Sequence, residues 1–353
     1  MEEETDVTAV RWECYPSVAS DDVARSWLDL QAHLQLAPKT IDAYGRCLND
    51  YLIFCAKRSV APETGTREHI AWYVHDLATR PHPHGASIVE FRSHVGLANA
   101  TMQQRITVVR LYYDYLIEQQ RRQDNPVGRG HYVPGKAFGG MRDRALIPHY
   151  EKLPWIPSDE EWRRILGTLK TLSLRNQVMF LVAYDGALRR QEVVTISIND
   201  IDFAYRQIRI RAEHAKNGAE RIVSYGTLTG RLLEHYLIER RQLSLDRGAL
   251  FLSESRRNRA QPLSLGMWSK VIEQLAECSQ VPRLTTHTMR HLRLTHLARA
   301  KLDLHQIALY AGHRSLQTTM RYIHLSGVEL TEAVMRSLAG FDRWIEQAFV
   351  GEA

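Results

Sequence analysis

Cysteine is scarce. The 353 residues hold four, Cys14, Cys47, Cys55 and Cys278, scattered along the chain with no CxxC pair. That spacing argues against a zinc ribbon, and the sparseness suits a reducing cytoplasm. Long apolar runs are also missing. None reaches the ~18 residues that a membrane span needs, so no membrane association is expected. The first residues, MEEETDVTAV, are acidic and lack the basic-then-apolar order of a signal peptide. There is no internal repeat and no low-complexity tract.

What is present is a soluble, globular composition, 44% hydrophobic and 24% charged, in a chain long enough for two or three domains. Such a chain can bury a core without staples. The net charge of +6 and the pI of about 9.1 are modestly basic. Arginine suits phosphate because its fork donates two parallel bonds, so nucleic acid is a candidate partner.

Hydrophobic spacing of three and four residues marks four amphipathic helices before residue 125. The first follows a cap-like SDD at Ser20 and places Val23, Trp27 and Leu30 on one face. The second carries Ile41, Tyr44, Leu48 and Leu52, and the third Ile70, Tyr73 and Leu77. The fourth starts near Asn99 and shows Ile106, Val109, Tyr113 and Leu116. These stripes read as a helical core. Lys39, Arg46, Arg105 and Arg110 lie on the opposite faces, either as solvated charges or as phosphate contacts.

From Pro126 the texture changes. Five glycines fall between Gly128 and Gly140, periodicity vanishes, and Arg129, Lys136, Arg142 and Arg144 make the stretch basic. That composition reads as a linker. Order returns at Ser158, where Ser158 and Glu161 form an S-x-x-E capping box ahead of Trp162, Ile165 and Leu169. The next helix, RNQVMFLVAYDG, is apolar nearly all round and should be buried. Alternation at Ile208 and Ile210, then at Ile222 and Val223, reads as a hairpin with Lys216 at its turn. The remainder is mostly helical.

Four segments of this second half stand out: Arg189 and Glu192 in GALRRQEVV, the hairpin Lys216, His287 and Arg290 in HTMRH, and His313 in AGHRS followed nine residues later by Tyr322. Each alone has a bland reading. R-x-x-E is a common ion pair, a hairpin lysine is usually solvated, and GH after an apolar run can be a helix C-cap. His287 and His291 are spaced like a zinc-protease pair, but Thr288 stands where that motif needs Glu, so no metal site is expected.

Together, in this order and spacing, the five parts resemble the tyrosine recombinases, the phage-integrase family, over roughly residues 158–330. The N-terminal helices resemble that family's core-binding domain. The resemblance implies a mainly α fold with a small β-hairpin or sheet (α+β). It implies an N-terminal tail over 1–19, a four-helix core-DNA-binding domain over 20–125, a Gly-rich basic linker over 126–157, a catalytic domain over 158–330 and a C-terminal segment for protomer exchange over 331–353. It assigns catalytic roles to Arg189, Lys216, His287, Arg290, His313 and Tyr322, with Glu192 supporting. Ala187 departs from the family's usual Gly before Leu-Arg, and Ala311 from its usual Leu before Gly-His.

The implied chemistry is physically coherent. A phenolate attacking a phosphodiester builds negative charge on the non-bridging oxygens, which Arg189 and Arg290 can clamp and His313 can hydrogen-bond. Lys216 is the candidate acid for the departing 5′ oxygen. His287 either takes a proton or positions the phosphate. No cofactor is expected, because the cations replace the magnesium usual in phosphoryl transfer. The resulting 3′-phosphotyrosine keeps the energy of the phosphodiester, so a second 5′ end can reverse the step. The expected function is site-specific DNA recombination for integration, excision or transposition of a mobile element. A type IB topoisomerase-like nicking-closing enzyme and a non-catalytic DNA-binding protein of the same fold are the alternatives. Double-stranded DNA, a homotetramer on two DNA sites and accessory recombination proteins are the implied partners. The implied location is the cytoplasm of a prokaryote, at the nucleoid. With only about twenty residues before the first helix, a separate arm-binding domain is not expected. Arg129 and Lys136 join Lys39, Arg46, Arg105 and Arg110 as candidate DNA contacts. The apolar stripe Val334, Leu338, Phe341, Ile345 and Phe349 either packs on its own domain or docks into a neighbour.

Overall fold

Several helices begin where the chain offers a cap or a proline. The computed structural model describes residues 10–81, 96–128, 147, 153–215, 218–327 and positions 334, 335, 337, 338, 340, 341 and 345. The chain divides into two compact units, Met1–Glu151 and Lys152–Ala353, so the division falls within the segment read as a linker.

The first unit holds α1 (Pro16–Ala19), α2 (Asp22–His33), α3 (Pro38–Lys57), α4 (Arg67–Thr79) and α5 (Asn99–Glu118). Proline opens α1 and α3, where its fixed φ and missing N–H fit the first turn. Asp21, not Ser20, caps α2 by accepting from the N–H groups of Val23 and Ala24. The α2 face also differs from expectation. Ala24, Trp27, Leu28 and Ala32 are buried, whereas Leu30 is 39% exposed. Trp27 sets this rotation. Its ring stacks on Tyr44 and meets Tyr112 edge-on, each at 5.7 Å between centroids. The stripes of α4 and α5 are buried as their spacing predicts. Residues grouped with an N-terminal tail belong to this core, since Tyr15 and Val18 are buried in it. Gly45 of α3 makes room for Tyr15, because a Cβ there would lie 2.8 Å from the tyrosine ring.

The second unit begins with α6 (Asp159–Leu169), α7 (Leu174–Asp185) and α8 (Arg190–Thr195). The capping box is present: Ser158 Oγ accepts from the N–H of Glu161 at 3.2 Å, and Glu161 accepts from the N–H of Ser158 at 2.7 Å. Residues Val178 through Ala183 of α7 are all buried, as its apolar circumference requires. An antiparallel sheet follows, β1 (Ile201–Asp202), β2 (Gln207–Ile210) and β3 (Arg221–Ser224), in the order β1-β2-β3. Ile208 pairs with Val223 and both face the core, while Ile222 turns outward at 59% exposure. The expected hairpin is β2–β3, with Lys216 in its connection. Lys216 itself lies outside the described residues.

The unit is completed by α9 (Thr227–Leu243), α10 (Leu265–Cys278), α11 (Thr288–Arg299), α12 (Leu304–Ala311) and α13 (Leu316–Ser326). Its main core gathers Phe180, Tyr236, Phe251 and Trp268. A smaller cluster of Ala187, Leu294, Ala298, Ile307, Ala311 and Tyr322 forms where α13 packs on α11 and α12. Beyond it, Val334, Leu338, Phe341 and Ile345 are helical and exposed. Phe349 lies outside the described residues. Among the described residues no helix is long and apolar enough to cross a membrane.

Candidate active site

The site is assembled from helix ends. Arg189 precedes α8, His287 precedes α11, and His313 follows the α12 C-terminus. Tyr322 lies on α13. Arg189, His287, Arg290, His291, His313, Arg314, Ser315 and Thr318 line a cleft of about 340 Å³. Tyr322 and Glu192 are not among these lining residues but touch them, Tyr322 through His313 and Glu192 through Arg189.

Glu192 is the anion beneath them. Its side chain is fully buried and accepts from two arginines. Arg189 reaches it with its backbone N–H at 2.7 Å and Nη1 at 2.9 Å. Arg221, on β3, donates to both carboxylate oxygens at 2.9 and 2.7 Å. Burial pushes the Glu192 pKa up, but the Arg221 bonds and charge outweigh it and hold the carboxyl down to about 2. Arg189 also donates to the Gly312 carbonyl at 3.1 Å. Gly312 has φ +63° and ends α12, so the GH pair is a C-cap as well as part of the site.

Arg290 is held by backbone. Nη1 donates to the Ala187 carbonyl at 2.7 Å, and Nη2 donates to the Ala311 carbonyl at 2.6 Å and to His313 Nε2 at 2.9 Å. Ala187 takes φ +48°, which accounts for glycine being usual there in the resembled family. Burial, then the charge of Arg189, brings the Arg290 pKa down to about 10. Two guanidiniums so placed repel each other, and an entering phosphate would relieve that repulsion.

His313 accepts from Arg290 through Nε2, which leaves Nδ1 to donate to Thr319 Oγ1 at 2.9 Å. Burial and Arg290 push its pKa down to about 3, so the ring is neutral. In this arrangement it supports Arg290, and the expected donor role toward phosphate needs Nε2 to be released. Tyr322 is 4% exposed and stacks on His313 at 6.0 Å with 7° between ring planes. Its hydroxyl lies 2.9 Å from His291 Nδ1. Burial raises the Tyr322 pKa, and Arg290 opposes it.

Two residues escaped the sequence reading. Arg221 had a signal, the Glu-Arg that ends the hairpin stretch. His291 was weighed only as a metal ligand, and among the described residues no group of three His, Cys, Asp or Glu is placed to hold a metal.

The candidate DNA contacts fare unevenly. Arg105 is half-buried in an ionic cluster with Asp50, which also receives Arg80 at 2.6 Å and the Tyr73 hydroxyl at 2.7 Å. That position binds Arg105 to the fold instead of offering it to phosphate. Arg46 is exposed and pairs with Asp42 at 3.1 Å, an exchangeable surface pair. Lys39 is exposed and Arg110 half-buried. Arg129 and Lys136 lie outside the described residues.

Residues 157–328 match the phage integrase family. The tyrosine recombinase XerC of Pelotomaculum thermopropionicum is 27% identical over 320 residues, which are 87% of this chain and 94% of the relative. Among solved structures, the XerH site-specific recombinase bound to palindromic difH substrate, in its post-cleavage complex, shares the fold. Its TM-score is 0.62 at 18% identity, over 92% of this chain and 87% of that one. The Tn1549 transposon integrase in complex with circular intermediate DNA gives 0.60 at 14%, over 85% and 94%.

Proposed function

The chain belongs to the phage integrase family of tyrosine recombinases, DNA strand-exchange enzymes that act in site-specific recombination, and on that premise we propose that Tyr322 attacks a phosphodiester of double-stranded DNA to form a 3′-phosphotyrosine. The observation that carries this reading is the meeting of Tyr322 with Arg290 and His313 beside one cleft. Arg189 and Arg290 bind the non-bridging oxygens, with Glu192 and three backbone carbonyls, those of Ala187, Ala311 and Gly312, holding their forks in place. Lys216 protonates the 5′ oxygen. The test is a nicked suicide substrate in EDTA. A covalent adduct should accumulate, with the DNA on the peptide containing Tyr322. An adduct on another tyrosine, or cleavage that depends on added magnesium, would overturn the reading.

Strand exchange needs four active sites on two duplexes, so protomers must grip one another. The exposed apolar residues Val334, Leu338, Phe341 and Ile345 supply the contact, docking into a second copy of the chain. Truncation after Gly327 should leave single-site DNA binding and remove the four-chain complex on two sites. A truncated protein that still assembles four chains at wild-type affinity places the contact elsewhere.

The biological role is the movement of a mobile element, supported by the long Gly-rich basic stretch that the sequence carries from Pro126. Paired terminal repeats should flank the gene. A chromosomal recombination site in their place would reassign the enzyme.

A further inference from the structure

Tyr322 must lose a proton to attack, and the structure offers a neighbour for it. His291 Nδ1 lies 2.9 Å from the Tyr322 hydroxyl, and the two rings are 5.8 Å apart between centroids. The contact arises because α13 packs directly on α11. His291 also borders the cleft, so the same imidazole touches the nucleophile and the space where a phosphate would sit. His287 is the next ring outward, 6.3 Å from His291, and is exposed.

We infer that His291, not His287, is the group that takes the Tyr322 proton. The inference rests on Tyr322 being the nucleophile. In the step, the Tyr322 O–H bond breaks, its proton passes to His291 Nδ1, and Oη bonds to phosphorus. The bond from phosphorus to the 5′ oxygen breaks, and that oxygen takes a proton from the Lys216 ammonium. Rejoining reverses each transfer, so His291 then acts as the acid that releases Tyr322.

The resting electrostatics prepare this exchange. Burial, with His287 and Arg290 nearby, pushes the His291 pKa down to about 4, so the ring is neutral and Nδ1 can accept. Tyr322 meanwhile stays a protonated phenol. The hydroxyl becomes more acidic as its oxygen bonds to phosphorus, and an anion in the cleft stabilises an imidazolium beside it.

The discriminating variant is His291→Asn, whose side-chain oxygen can replace Nδ1 as an acceptor but cannot carry the proton away. Single-turnover cleavage should fall by ~100-fold or more, and rejoining with it, at unchanged DNA affinity. A 5′-bridging phosphorothiolate, whose sulfur leaves without a proton, should not restore the rate. The same substrate should restore Lys216→Ala, where the defect lies on the leaving group. A His291→Asn rate within about threefold of wild type, or full rescue by the sulfur substrate, overturns the assignment. A second measurement needs no variant of His291. Long-range proton–nitrogen spectra should show one histidine in the Nε2–H form whose Nδ1 signal moves on Tyr322→Phe. If no histidine responds, the contact is absent in solution and the inference fails. Adduct formation by Tyr322→Phe would instead remove the underlying reading, so the two failures are distinct.

Discussion

Tyr322→Phe should bind DNA as the wild type does and form no covalent adduct, a loss of ~10⁴-fold or more in cleavage. The substitution is close to isosteric. The ring stays in the cluster of Ala187, Leu294, Ala298, Ile307 and Ala311 and keeps its stacking on His313. The hydroxyl, its bond to His291 and its interaction with Arg290 disappear, which costs about 1 kcal/mol of stability. An inactive variant is therefore a folded one, and urea unfolding with a near-normal midpoint verifies that. Trapped protein on the suicide substrate at even a hundredth of the wild-type yield would mean that another nucleophile serves.

Glu192→Gln should have the second largest effect, and on stability first. The change keeps the side chain's shape but removes the only buried carboxylate in contact with Arg189 and Arg221 among the described residues. Two guanidiniums would then remain together beside Arg290 without their anion. Breaking a buried pair in this way costs about 3–5 kcal/mol. The sign of the pH dependence follows from the depressed carboxyl. Its contribution is fully present above the ordinary 4.5 and is lost as pH falls through the folded value of about 2. Wild-type stability should therefore decline across that window, and the variant should lack that part of the decline. Cleavage should also fall by ~100-fold, because Arg189 loses the group that aims it. A denaturation midpoint near that of the wild type would show that the carboxylate is dispensable.

The helices and the clustering of the candidate residues were legible for different reasons. Ile70, Tyr73 and Leu77, or Ile106, Val109, Tyr113 and Leu116, repeat at the period of a helix, and burial follows directly from that period. Leu30 misled because period alone leaves the stripe free to rotate, and the packing of Trp27 on Tyr44 and Tyr112 fixed it. Arg105 misled because its partner, Asp50, is remote in sequence. A basic residue on a polar face looks the same whether or not an acid waits on the next helix. β1 is two residues long, too short to alternate. His291 stands four residues after His287, a spacing that suggests a shared helix face, but only the packing of α13 on α11 brings Tyr322 to it.

The hairpin is anchored to the cleft through one side chain. Arg221 closes the strand pair opposite Ile210, donates to both oxygens of Glu192, and donates through Nε to the Tyr310 carbonyl at 3.0 Å. One guanidinium therefore rivets β3, α8 and α12 to each other. The small sheet acts as a brace: a change at Arg221 would be felt at the strand, at the carboxylate beneath the cleft and at the end of α12 together.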